Sequence, residues 1–106
     1  MKQDLALNKV KFEWILDLGN TVNIISKEHF EILQIRTNTT IALNPAPCFS
    51  ASSSRLREVG TFLAEIGLDI VVQATIVVAD QPLSNPILGS ETLLRLITFS
   101  RHHGRG

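Results

Sequence analysis

An aspartate placed directly after an apolar run and just before a glycine is a costly position for a carboxylate. Here Asp17-Leu18-Gly19-Asn20 follows Trp14-Ile15-Leu16. Burying a charge is expensive unless it is paired or hydrogen-bonded. A glycine turn supplies the usual remedy, because its backbone N–H groups can approach the carboxylate. A carboxylate held in that way can work as a general acid or base. The competing reading is a turn aspartate after a strand, which is the commoner meaning of Asp-x-Gly taken alone.

Other groups offer less chemistry. Serines are numerous, but no elbow motif or spacing builds a Ser-His-Asp triad. His102-His103 has no cysteine or carboxylate at ligand spacing, so no metal site is expected. Cys48, beside a proline loop, reads as a small packing residue. The run Ser50-Ala51-Ser52-Ser53-Ser54 reads as a flexible loop rather than a set of phosphosites. Asp69 and Asp80 read as solvated turn residues, His29 as a surface residue, and Trp14 as a core or partner-facing side chain.

Composition narrows the class. The chain has 106 residues, 44% of them hydrophobic, enough for one domain with a modest core. Domains of this size bury roughly 65% of their unfolded surface, so dimerisation would help. Ten basic and ten acidic residues balance, and no stripe of Lys and Arg runs along any segment, so no nucleic-acid partner is expected. A single cysteine excludes an internal disulfide and leans towards a reducing compartment, which makes an intracellular, cytoplasmic location the expectation. No apolar run approaches the ~20 residues that span a bilayer, so no membrane is expected. Met1-Lys2-Gln3-Asp4 does not read as a signal peptide, and Asn38-Thr39-Thr40 reads as a chance glycosylation pattern.

The elements that would position Asp17 are mostly short strands. Val10 to Leu16 alternates, with Val10, Phe12 and Trp14 on one face and Lys11 and Glu13 on the other. Asn8-Lys9 predicts a hairpin turn from a short strand at Leu5–Leu7. Val22, Ile24 and Ile25 predict a further short strand. Ser26 reads as a helix N-cap with Glu28 in the first turn, opening a helix over Lys27–Leu33. Thr39–Leu43 predicts a strand, interrupted by Asn44-Pro45-Ala46-Pro47. Val59–Ile66 alternates, Gly67-Leu68-Asp69 turns the chain, and Ile70–Val78 is the strongest strand pattern. A loop over Asp80–Pro86 leads to a short strand at Ile87-Leu88, stopped by Gly89. Ser90 then caps a last helix from Glu91 to about Leu96. One domain over residues 1–100 is expected, with a polar, disordered tail over 101–106.

Taken in order, these features resemble the retropepsin-like aspartic protease domain of retroviruses and gypsy-type retrotransposons. The features are the strand, Asp-x-Gly, Thr21-Val22-Asn23-Ile24-Ile25-Ser26 into a helix, a serine-rich hairpin, Arg57-Glu58-Val59-Gly60, long Val/Ile strands and Ile87-Leu88-Gly89 before a last helix. The resemblance spans residues 5–97. It implies a mainly β, closed acid-protease barrel with one or two short helices. It implies Asp17 as the catalytic aspartate, with Leu18, Gly19 and Asn20 completing the active-site loop. It implies Ala51, Ser52, Ser53, Ser54 and Arg55 as a flap closing on substrate. It also implies Ile87-Leu88-Gly89 as a support crossing beneath the aspartate loop. No metal or organic cofactor is implied.

The family's chemistry needs two carboxylates, and this chain offers one aspartate loop. Two like charges held close together share a proton, so that one is base to a water and the other donates to the scissile carbonyl. One loop per chain makes two only in a symmetric dimer with the site on its axis. The expected protein is thus a homodimeric aspartic endopeptidase acting on extended polypeptide. Leu18 stands where the family has Thr or Ser, and leucine cannot bond across the axis. Asn20 replaces a usual small Ala or Ser. The alternative is therefore a catalytically impaired domain of the same fold, kept as a dimerisation or peptide-binding module. A monomeric β-domain with no Asp pairing is a third reading.

Overall fold

A computed structural model describes the backbone of residues 1–45 and 58–104, with side chains as far as 98. It begins with a hairpin. β1 (Lys2–Leu7) and β2 (Val10–Asp17) are joined by Asn8-Lys9, both left-handed at φ +47° and +73°. Two consecutive positive φ values match the twist of a tight hairpin, and asparagine tolerates this conformation best. The turn is also latched from outside. Asn8 N–H donates to Glu65 C=O at 2.8 Å, and Glu65 N–H donates to Asn8 Oδ1 at 2.9 Å.

Next come β3 (Asn23–Ser26), α1 (Lys27–Thr37), β4 (Glu58–Gly67), β5 (Val71–Ala79), β6 (Ile87–Gly89) and α2 (Ser90–Gly104). The strands close into a barrel in the order β1-β2-β6-β3-β5-β4, and β4 returns to β1 through Leu7↔Ile66. This is the mainly β closed barrel with two helices that the sequence implied. Closure leaves most ladder groups paired and wraps the strands around one core. Leu7, Trp14, Ile25, Leu33, Ile66, Ile76, Val78 and Leu88 are fully buried there. Trp14 is thus a core residue, and its indole N–H donates to Leu5 C=O at 3.2 Å. Gly67, at φ +147°, makes the turn from β4 to β5 in a backbone region that side chains rarely adopt.

Several expectations change. Thr39–Leu43 carries no ladder; its place is taken by an isolated bridge between Asn44 and Thr61. The α1 end explains why: Thr39 N–H donates to Gln34 C=O, and Ile41 N–H to Gln34 Oε1 at 2.9 Å. Backbone groups satisfied by a helix end do not need a neighbouring strand. The helix Lys27–Leu33 runs on to Thr37 and stops at Asn38, a left-handed C-cap at φ +52°. Gly89 belongs to β6 rather than ending it, and α2 runs past Leu96 to Gly104. No glycine or proline interrupts 90–103, so α2 takes in the first residues of the stretch expected to be a disordered tail. No helix among the described residues is long and apolar enough to cross a membrane.

His29 is a further one. It is half-buried at the third position of α1, with its ring edge-on to Phe12 at 5.6 Å. Its N–H donates to the N-cap Ser26 Oγ at 3.1 Å, and its Nδ1 accepts from Ser26 N–H at 3.4 Å, completing a capping box. An accepting Nδ1 requires a neutral ring. Burial lowers the His29 pKa below 6.5, with the Glu28 charge opposing. The folded state then binds fewer protons than the unfolded one, so this stabilisation is present above the unfolded value and lost as pH falls below it. Cooling the effect to one residue is simple: His29→Gln keeps a capping-box acceptor without a titration. Its denaturant midpoint should fall less than the wild type's between about pH 7 and about pH 5, by at most the ~1 kcal/mol such a cap is worth.

Candidate active site

Asp17 is the last residue of β2, and the barrel holds that strand end from two sides. Ile15 N–H donates to Pro86 C=O and Leu16 N–H to Met1 C=O, both at 2.8 Å. On one side β2 runs parallel to β6 in the register Ile15↔Ile87, Leu16↔Leu88, Asp17↔Gly89. The apolar-apolar-Gly triplet therefore lies alongside the strand that delivers the aspartate, and Gly89 is directly opposite Asp17.

Past Asp17 the chain turns on local bonds. Gly19 N–H donates to Asp17 Oδ1 at 3.0 Å, and Asn20 N–H to Asp17 C=O at 3.3 Å. Asn20 Oδ1 accepts from Val22 N–H at 3.3 Å, and its C=O accepts from Ser90 N–H at 2.8 Å. The expected contact between a glycine N–H and the carboxylate is present. The expected burial is not: Asp17 is exposed in the single chain. Leu18 is 74% exposed beside it, an apolar side chain standing in water.

The need for glycine falls at a different residue than Asp-x-Gly suggests. A Cβ on Gly19 would meet Asp17 Oδ1 at 3.4 Å, an ordinary contact. A Cβ on Gly89 would lie 2.7 Å from the backbone of Thr21 and of Val22. Gly89 thus packs against the chain that follows the aspartate loop with no room for a side chain. Ile87 is half-buried and Leu88 fully buried, and they fix β6 between β2 and β3.

Sequence reading missed Asn23. It is 4% exposed, and its amide makes three bonds. Oδ1 accepts from Gly89 N–H at 2.9 Å, while Nδ2 donates to Thr75 C=O at 3.0 Å and Thr92 Oγ1 at 2.8 Å. The available signal was a lone amide inside the apolar run Val22-Asn23-Ile24-Ile25.

Ala51, Ser52, Ser53, Ser54, Arg55 and Cys48 lie outside the described residues. Among the described residues on either side of that segment, Asn44 and Thr61 exchange backbone hydrogen bonds of 2.8 and 2.9 Å. A groove of about 620 Å³ opens between β3, β5 and α2, with Thr21, Val22 and Asn23 on one wall and Thr92 and Arg95 on the other. Asp17 is not part of its lining. No cluster of three or more metal-ligating side chains occurs among the described residues.

No protein-family model matches the chain, and no curated protein matches it. Solved structures do. The retroviral protease-like domain of Ddi1 from Leishmania major superposes with a TM-score of 0.64 at 15% identity, covering 90% of this chain and 75% of that one. The EIAV protease, solved with the inhibitor HBY-793, gives 0.65 at 17% identity over 91% of this chain and 86% of its own. A retropepsin-like aspartic protease from Rickettsia conorii gives 0.66 at 16% identity over 89% and 69%. The fold is retropepsin-like.

Proposed function

We propose that a chain of retropepsin-like fold carrying one aspartate loop is an aspartic endopeptidase that works as a homodimer. The observation that carries this reading is the placement of Asp17. It ends β2 directly opposite Gly89, in the register of a support strand, and it is exposed at a barrel end. A lone exposed carboxylate has no catalytic partner. A second copy of the loop, brought up across a two-fold axis, supplies one and removes both from water. The two carboxylates then hold one proton between them. One takes a proton from the attacking water, and the other gives its proton to the scissile carbonyl oxygen. The titration belongs to the pair.

Substrate in this reading is extended polypeptide, lying between the paired loops and the segment 51–55, with its backbone hydrogen-bonded as an added strand. The Gly19 N–H orients the Asp17 carboxylate. The exposed Leu18 fits the same dimer, since pairing the loops buries an apolar side chain otherwise left in water.

Leu18 also favours a second reading, a domain of this fold that pairs and binds peptide without cutting it. Where a hydroxyl would bond across the axis, leucine offers nothing. Leu18→Thr separates the two. A crippled peptidase should gain about tenfold in kcat with the hydroxyl restored, the equivalent of one net hydrogen bond of ~1.4 kcal/mol. A silent module should gain none while remaining a dimer by sedimentation. Cleavage of a denatured protein by the wild type, blocked by pepstatin, is the experiment that tests the leading reading.

A further inference from the structure

We infer that Asn23 is a positioning residue for the Asp17 loop, acting through Gly89; this rests on the peptidase reading above. Among the described residues, its amide is the one side chain that bonds to β6, β5 and α2 at once: Gly89 N–H at 2.9 Å, Thr75 C=O at 3.0 Å and Thr92 Oγ1 at 2.8 Å. Gly89 faces Asp17 across the β2·β6 pairing and lies against the backbone of Thr21 and Val22. One residue on, Ser90 N–H holds Asn20 C=O at 2.8 Å. The loop is thus gripped at Asp17 and Asn20 by two consecutive residues, Gly89 and Ser90. Asn23 fixes the first of them from behind. A buried amide suits the task, because it offers an acceptor and donors at once without a charge.

The substitution Asn23→Asp makes this bonding depend on pH. Aspartate keeps an acceptor for Gly89 N–H, and Thr92 Oγ–H can turn to donate. In the charged form the donor to Thr75 C=O is lost and a charge is buried, and protonation of the carboxyl reverses both. The charged groups that line the same groove as Asn23 are Glu91 and Arg95 of α2; β5 contributes Thr75 and Val77 there, neither titratable. Displacing a reacting group by about an ångström costs about a hundredfold in rate. The expected result is kcat lowered by about ten- to a hundredfold near neutral pH with KM little changed, and a variant-to-wild-type kcat ratio that climbs as pH falls. Thr92→Val, a gentler change, should lower kcat in the same direction by less.

Amide hydrogen exchange reads the same coupling without any catalysis. Asn23→Asp at neutral pH, and Thr92→Val at any pH, should speed exchange at Ser90, and at Gly19 in the loop, while β1 and β4 amides keep wild-type protection. Unchanged exchange at Ser90 and Gly19 in both folded variants overturns the inference. So does a kcat ratio flat in pH with KM raised. A wild type that cleaves nothing overturns the peptidase reading instead, and leaves the exchange arm to decide the role of Asn23.

Discussion

Asp17→Asn should remove cleavage, lowering kcat by about 10³-fold or more, with the fold intact. The structure explains why the loss falls on chemistry alone. Asp17 is exposed in the single chain, so no buried partner is orphaned by the change. The bond it makes, from Gly19 N–H to Oδ1 at 3.0 Å, survives because asparagine presents the same acceptor. What disappears is the ability to take a proton from water. An amide cannot be a base, and two amides across an axis cannot share a proton. Denaturant midpoint and dimer mass should therefore match the wild type while hydrolysis of a denatured protein stops. Retained cleavage would mean that the carboxylate doing the work is not Asp17.

Gly89→Ala should have the largest effect on both stability and rate among single-methyl changes at this site. The new Cβ would sit 2.7 Å from Thr21 C, Thr21 O and Val22 O, all backbone atoms. Flexible side-chain ends can swing away; backbone cannot without moving the segment that follows the aspartate loop. Overpacking of this kind costs about 1–3 kcal/mol, or roughly 10 °C in melting temperature for a domain this small. The same shift moves the loop against β6, so cleavage should fall about a hundredfold even below the melting transition. Gly19→Ala is the contrast, since its nearest contact is Asp17 Oδ1 at 3.4 Å. Its melting temperature should change by no more than a few degrees. The reverse order, with Gly19 the sensitive position, would show that the close approach of Gly89 to Thr21 and Val22 does not govern the loop. Scanning calorimetry and initial rates on the two variants decide it.

Much of the barrel is written in local pattern. Period-two alternation from Val10 to Trp14 gives β2 its inner face, and Asn8-Lys9 marks the turn before it because few residues accept positive φ. Ser26 announces α1 because its hydroxyl has a backbone donor to serve. Features that depend on distant partners are harder to read. Thr39–Leu43 has strand-forming residues, but a strand needs a neighbour, and Gln34 takes its N–H groups first. His29 looks like a surface residue on a short helix; its role in the cap appears only once its ring is seen against Phe12.

The site divides in the same way. Asp17 and the triplet Ile87-Leu88-Gly89 stand out by residue type and order, and the structure aligns them strand to strand. Asn23 does not stand out, because a single polar residue in an apolar run looks like an outward-facing strand position. Its three partners come from residues 75, 89 and 92, far along the chain. The exposure of Asp17 was also hidden, since the sequence shows what precedes the aspartate and not where the barrel ends.

The most direct test of a shared dyad is a mixing experiment. Wild-type chain at fixed concentration is equilibrated with increasing amounts of Asp17→Asn chain, and cleavage of a denatured protein is followed. If each site needs Asp17 from two chains, wild-type chains are drawn into dead mixed pairs, and a tenfold excess of variant should lower activity about tenfold. If activity stays constant as variant is added, each chain works alone, and the dimeric aspartic peptidase account is wrong.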